Sequence, residues 1–166
     1  MNLFLLSLDP QTCAEWHCDK HVIKMILEIV QMLYTAWHVN GVLPPGAPLC
    51  KSSGKAGYKK AHVNHPMTKW MRASKANYLF AVRLAAALAR EFEYRYGHYH
   101  GCTKHVIWLA TNTPPFDRTR MTLVPQCMPD EYKVTGDSVQ AYRNYYMGDK
   151  ARFAVWSKRP QPPWWG

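Results

Sequence analysis

HCDKHVIKMILEIVQ, residues 17 to 31, has the apolar content of a buried segment yet also holds His17, His21, Lys24, Glu28 and Gln31. At about 100° per residue these five side chains, with Thr35, fall within one arc of about 80° on a helix. The other directions carry Val22, Ile23, Met25, Ile26, Leu27, Ile29, Val30 and Leu33. An ordinary surface helix has a wide polar side and a narrower apolar stripe. Here the proportions are inverted, which predicts a central helix. Its polar stripe must either line a functional cleft or satisfy itself as an internal salt-bridge network. A lone buried carboxylate is costly, so Glu28 needs Lys24, an arginine or solvent.

On the N-terminal side, Asn2 to Leu8 reads as an apolar lead-in. Asp9-Pro10 predicts a helix start, with a capping carboxylate and proline at the first helical position. The periodic run continues to about His38 and stops at Val39-Asn40-Gly41. Residues 41–65 form a Gly-, Pro- and Ser-containing basic loop, read either as a solvated connection or as a flap closing on phosphates. Its GKAGYKK text lacks the spacing and ending of a P-loop. A second long helix is expected from Asn64 or His65 with Pro66 to about Tyr96-Gly97. A turn follows at 98–105, then a short helix over 104–111 and irregular chain over 112–136. Asp137 and Gln140 have capping-box spacing and open a helix to about Met147. Strand signals are few. The expected fold is all-α in the main, a compact single-domain helical bundle over residues 1–166 with long irregular connections and an aromatic, basic tail at 151–166.

The chain has 166 residues, 48% of them apolar, which suits one domain and is too little for two. Its net charge of +10 favours a polyanionic partner. No acidic residue stands between Glu28 and Glu91, while Lys51, Lys55, Lys59, Lys60, Lys69, Arg72, Lys75, Arg83 and Arg90 all do. DNA is the expected partner, with RNA or a nucleotide as alternatives. The contacts assigned to it are His17, Gln31, Lys59, Lys60, Lys69, Arg72, Lys75 and Arg143. The first turn of the second helix, Pro66 to Lys69, adds free N–H groups for a phosphate. Trp156, Trp164 and Trp165 either stack on bases or dock the tail on its own domain.

Five cysteines, with neither a signal peptide nor a segment approaching a membrane span, suggest thiols in a cytoplasmic setting, in the host cytoplasm for a viral protein. A monomer that is not secreted is expected. Cys13, His17, His21, His98, His100, Cys102 and His105 are potential zinc ligands, but no compact zinc signature is present, and neither metal nor cofactor is expected.

Asp19-x-His21-x(6)-Glu28, following the Asn2-Leu3 start, resembles the pyrimidine-dimer DNA glycosylase/AP lyase family of the phage T4 endonuclease V type. HPMTKWMRASKANYLFAVRLAAALAREFEYRYG is distantly similar to that family's long middle helix, and the Tyr- and Trp-rich tail is similar as well. The text CDKHVIKMILEIVQ with CMPDEY more closely resembles a group of small phage and giant-virus proteins. The family resemblance implies a compact helical monomer that flips a base and attacks C1′ with an N-terminal amine. Glu28 would be the catalytic carboxylate, His21 would lie near the backbone or a catalytic water, and the amine would be that of Met1. Lys24 is the fallback nucleophile. This chain departs from the family in having Met1 directly before bulky Asn2 and about eight further residues before the Asp-x-His text. The functional expectation is a base-excision N-glycosylase, with or without lyase activity, acting on a damaged or modified pyrimidine. A nucleotide-hydrolysing or modifying enzyme and a non-enzymatic basic binder are the alternatives.

Overall fold

The computed structural model describes residues 2–166, and among these the fold is all-α, with six helices and no strand. They are α1 (Pro10–Trp16), α2 (Asp19–Asn40), α3 (Pro66–Ala73), α4 (Lys75–Tyr96), α5 (Thr103–Thr111) and α6 (Ser138–Tyr145). Short helical turns follow α6 and lead into the tail. Asp9 caps α1 by accepting from the Thr12 N–H, and Asp137 caps α6 through Gln140, as their spacing predicts.

Two helices expected to be continuous are each split. The second breaks at Ser74, whose extended backbone ends α3 and whose hydroxyl caps α4 through the Asn77 N–H. The first breaks at His17-Cys18, and the cause lies on α4. Arg95, its side chain fully buried, donates to the carbonyls of Glu15 and His17 at 2.9 Å each. Those donations satisfy helix-end carbonyls that would otherwise be orphaned. The same guanidinium meets Asp19 at 2.8 Å, in the first turn of α2, and Glu91 at 2.7 Å. One cation thus ends α1 and anchors α2.

The two long helices, α2 and α4, pack against each other, with α3 against both and α1 against α4. The lead-in Leu3–Leu6 is buried without regular secondary structure, held by the Cys13 thiol at Leu6 and Phe4 and by Arg143 at the Leu6 carbonyl. The tail docks on its own domain. The Val155 carbonyl accepts from the Asp19 N–H, Trp156 donates to the Trp16 carbonyl, and Arg159 pairs with Glu91 at 2.9 Å. Trp164 lies edge-on to Trp16.

Contrary to the reading of the sequence, α2 is long and apolar enough to cross a membrane by length and composition alone. In the fold 67% of its most apolar stretch is buried, so that apolar surface is spent on the core. All five cysteines are free thiols.

Replacing Arg95 with alanine leaves Glu91 with Arg159 as its remaining cation, removes the ion pair of Asp19 and orphans the carbonyls ending α1. Loss of a buried ionic partner costs about 3–5 kcal/mol, expected as a lower urea midpoint for Arg95→Ala. A loss below about 1 kcal/mol, the scale of a surface pair, would contradict this role for Arg95.

Candidate active site

The polar stripe of α2 divides into two halves. Towards the C-terminal end it is covered by the basic loop: the Thr35 hydroxyl accepts from the Ala61 N–H at 3.1 Å, and His38 Nε2 contacts the Tyr58 carbonyl at 2.9 Å. Towards the N-terminal end it opens on a cleft of about 270 Å³. Glu28 stands there, 8% exposed. Its Oε1 lies 3.3 Å from Lys24 Nζ, and its Oε2 accepts from the Asn2 backbone N–H at 2.7 Å.

That second contact depends on the buried lead-in. The Asn2 side chain donates to the Cys127 carbonyl at 2.9 Å and lies 3.2 Å from the Tyr142 hydroxyl. The head of the chain is therefore clamped between the 125–128 segment and α6, directly against the carboxylate. Met1 lies outside the described residues.

His21 lines the same cleft, stacked on Phe4 with ring centroids 4.5 Å apart. The Tyr146 hydroxyl accepts from the Cys18 N–H at 3.2 Å and lies 2.6 Å from His21 Nδ1, nearer than its other possible acceptor, the Cys18 sulfur at 3.6 Å. Burial holds the Tyr146 phenol well above its ordinary range, so it stays protonated and within hydrogen-bond reach of Nδ1. Burial, then the positive field of His17, Lys150, Lys24 and Lys20, pushes His21 down to about 3. It is a neutral imidazole at neutral pH.

The remaining wall includes His65, Tyr145 and Lys150, none of which sequence reasoning assigned to the site. Lys150 Nζ donates to the Tyr145 hydroxyl at 3.0 Å and to Asp149 at 2.6 Å. Burial opposes its charge, but these two bonds prevail and raise it, so it is an ammonium. His65 is the N-cap of α3, where its Nδ1 accepts from the Met67 N–H at 3.2 Å. Burial lowers it, so it too is neutral. The only signal for it in the sequence is histidine before proline at a helix start.

Several expected contacts are elsewhere. His17 is fully buried, with Nδ1 2.6 Å from the Cys13 carbonyl, and the break in the helix removes it from the stripe. It is a core residue. Arg143 is likewise a structural rivet, bonded to the Leu6 carbonyl and lying over Trp16 and Trp164. Arg72 donates to the Val63 carbonyl and lines a separate hollow with Asn40 and Phe116. The break at Ser74 places exposed Lys75 on a different helix from exposed Lys69. One N–H expected to be free for a phosphate, that of Met67, is taken by His65. Gln31, Lys59 and Lys60 do come together, around a second cavity beside the cleft. Among the described residues no three His, Cys, Asp or Glu side chains are placed to hold a metal ion.

The cleft thus combines a carboxylate, two ammonium groups and two neutral imidazoles. Such a set can stabilise positive charge beside the carboxylate and donate protons or hydrogen bonds to anionic oxygens around it. No family model, no curated protein and no solved structure matches the chain significantly.

His17 and His21 are neutral when folded, with His17 pushed down to about 4 by burial and His21 to about 3. The unfolded chain protonates both near pH 6.5, so it binds more protons than the fold across the interval below. Stability is expected to be full above pH 6.5 and to fall as pH drops towards 4. Denaturant midpoints measured from pH 7.5 to 4.5 read this directly. A His17→Phe variant should flatten the slope, and an unaltered slope would contradict the assignment.

Proposed function

We propose that the chain is a DNA-binding base-excision enzyme, an N-glycosylase with a lyase step, acting on a damaged or modified pyrimidine nucleotide. The observation that carries this reading is the 2.7 Å bond between the Asn2 amide and Glu28, which joins the head of the chain to the carboxylate in a cationic cleft. The resemblance around Asp19, His21 and Glu28 supports the same chemistry.

In this reading the Met1 amine is the nucleophile. Its nitrogen lone pair forms a bond to C1′ as the bond from C1′ to the base breaks, and the departing base takes that electron pair and a proton. The nitrogen's remaining proton passes to O4′ as the C1′–O4′ bond breaks and the ring opens to an imine. Loss of the C2′ proton to a general base then forms the C2′–C3′ double bond as the C3′–O bond breaks, and the 3′ phosphate leaves with that electron pair. An α-amine, with an ordinary pKa of about 8, has a usable free fraction at neutral pH. Glu28 stabilises the positive charge that develops on the sugar. Lys24, beside Glu28 at 3.3 Å, serves as a cation towards phosphate. His21, His65 and Lys150 supply donors to the strand. The net charge of +10 supplies the general attraction to it.

Glu28→Gln tests the reading on ultraviolet-irradiated and abasic duplex DNA. The expected result is binding within about twofold of wild type with turnover lower by about 10²–10³, the scale of losing one electrostatic stabiliser. Unchanged turnover would remove Glu28 from the chemistry. Intact wild-type binding with no excision by the wild type would leave a non-enzymatic binder.

A further inference from the structure

The cavity beside the cleft, about 570 Å³, is larger than the cleft itself and within the range of about 300–1,000 Å³ typical of small-molecule sites. Its walls are one face of α2 and the loop over residues 50–61. Gln31, Lys55, Lys59 and Lys60 line it, and no acidic side chain does. The three lysines make no ion pair and the Gln31 amide no hydrogen bond among the described residues, so these polar groups are available to a ligand. Tyr58 adds an aromatic wall, its hydroxyl held 3.4 Å from Cys102.

The cavity is built in advance of any ligand. Thr35 and His38 fasten the loop to α2. Gly57, at φ +64°, lies so close to Tyr34 that a Cβ there would come within 2.5 Å of the ring. Its position relative to the cleft is fixed by the helix. Gln31 stands three residues beyond Glu28, about 4.5 Å along the axis, and His38 about 15 Å along it. Stacked nucleotides of one strand repeat about every 3.4 Å. A strand laid along α2 with one sugar at Glu28 would bring its next units over Gln31 towards the loop cavity.

We propose that this cavity is a second nucleotide subsite, which holds the nucleotide flanking the reacting one on the same strand. The inference rests on the nucleic-acid reading above and narrows it: the substrate is a strand of at least two nucleotides rather than a free nucleotide. Lys59 and Lys60 bind its phosphate, Gln31 hydrogen-bonds its base or sugar, and Tyr58 bounds the ring.

The test is binding of a labelled single-stranded oligothymidylate of about five nucleotides to the full chain, followed by fluorescence anisotropy, with thymidine 5′-monophosphate as competitor. Lys59→Ala/Lys60→Ala is expected to weaken binding about tenfold, as two lost phosphate contacts would. Lys51→Ala/Lys104→Ala removes the same charge outside the cavity and should change affinity far less. Gln31→Ala alters no charge and should cost about fivefold, the scale of one hydrogen bond. The subsite is overturned if the cavity variants only match the charge control, or if the monophosphate displaces the oligonucleotide at equal concentration. Wild-type protein with no affinity for the oligonucleotide or for duplex DNA would instead overturn the nucleic-acid reading itself. Neither result depends on excision.

Discussion

A single buried guanidinium sets the frame for everything else. Arg95 places its donors on the carbonyls that end α1, on the Asp19 carboxylate that begins α2 and on Glu91 of its own helix. A cation without water is tolerated only when it is fully paired and hydrogen-bonded, and here every arm of the fork is used. The consequence is directional. Because α1 and α2 do not run on as one rod, His17 turns into the core and α2 starts afresh at Asp19. Its polar stripe then begins with His21, Lys24 and Glu28. The tail reinforces the joint through Arg159 at Glu91 and the Ser157 N–H at Asp19.

Downstream of that joint the stripe is spent in two ways. Along its far half, backbone from the 58–61 segment gives Thr35 and His38 carbonyl and N–H partners that water would otherwise supply, while Gln31 faces the loop cavity. Its near half stays open, and the lead-in brings Asn2 to it. The clustering of Lys24 and Lys150 with neutral His21 and His65 is an electrostatic consequence of this geometry. Imidazoles buried among cations lose their protons, while Lys150, with acid and hydroxyl partners, keeps its own. The cleft therefore presents fixed positive charge around one carboxylate, with uncharged donors between.

Much of this was legible in the residue pattern. The inverted polarity of α2 announced a central helix, and the caps at Asp9 and Asp137 follow from side chains that compete for orphan amides. The association of Glu28, Lys24 and His21 follows from helical spacing alone. The breaks at His17-Cys18 and Ser74 were not legible in the same way. The first is imposed from seventy-odd positions away by Arg95, and periodicity carries no information about such a partner. The second rests on a serine whose capping role competes with an otherwise unbroken helical run. Lys150, Tyr145 and His65 reach the cleft through tertiary packing, from segments whose own patterns say only "helix", "turn" or "helix start". Arg143 and Arg72 show the converse: a basic residue scored by charge alone becomes, in the fold, a ligand for a carbonyl or an aromatic face.

The central claim is that the head of the chain and Glu28 form one reactive centre. Borohydride reduction of the protein mixed with duplex DNA containing an abasic site, followed by peptide mapping, tests it most directly. The account expects a covalent adduct on the peptide that begins at Met1, at the α-amine, and its loss when that amine is blocked. An adduct on a lysine remote from Glu28, or no adduct at any pH at which the fold is intact, would contradict it.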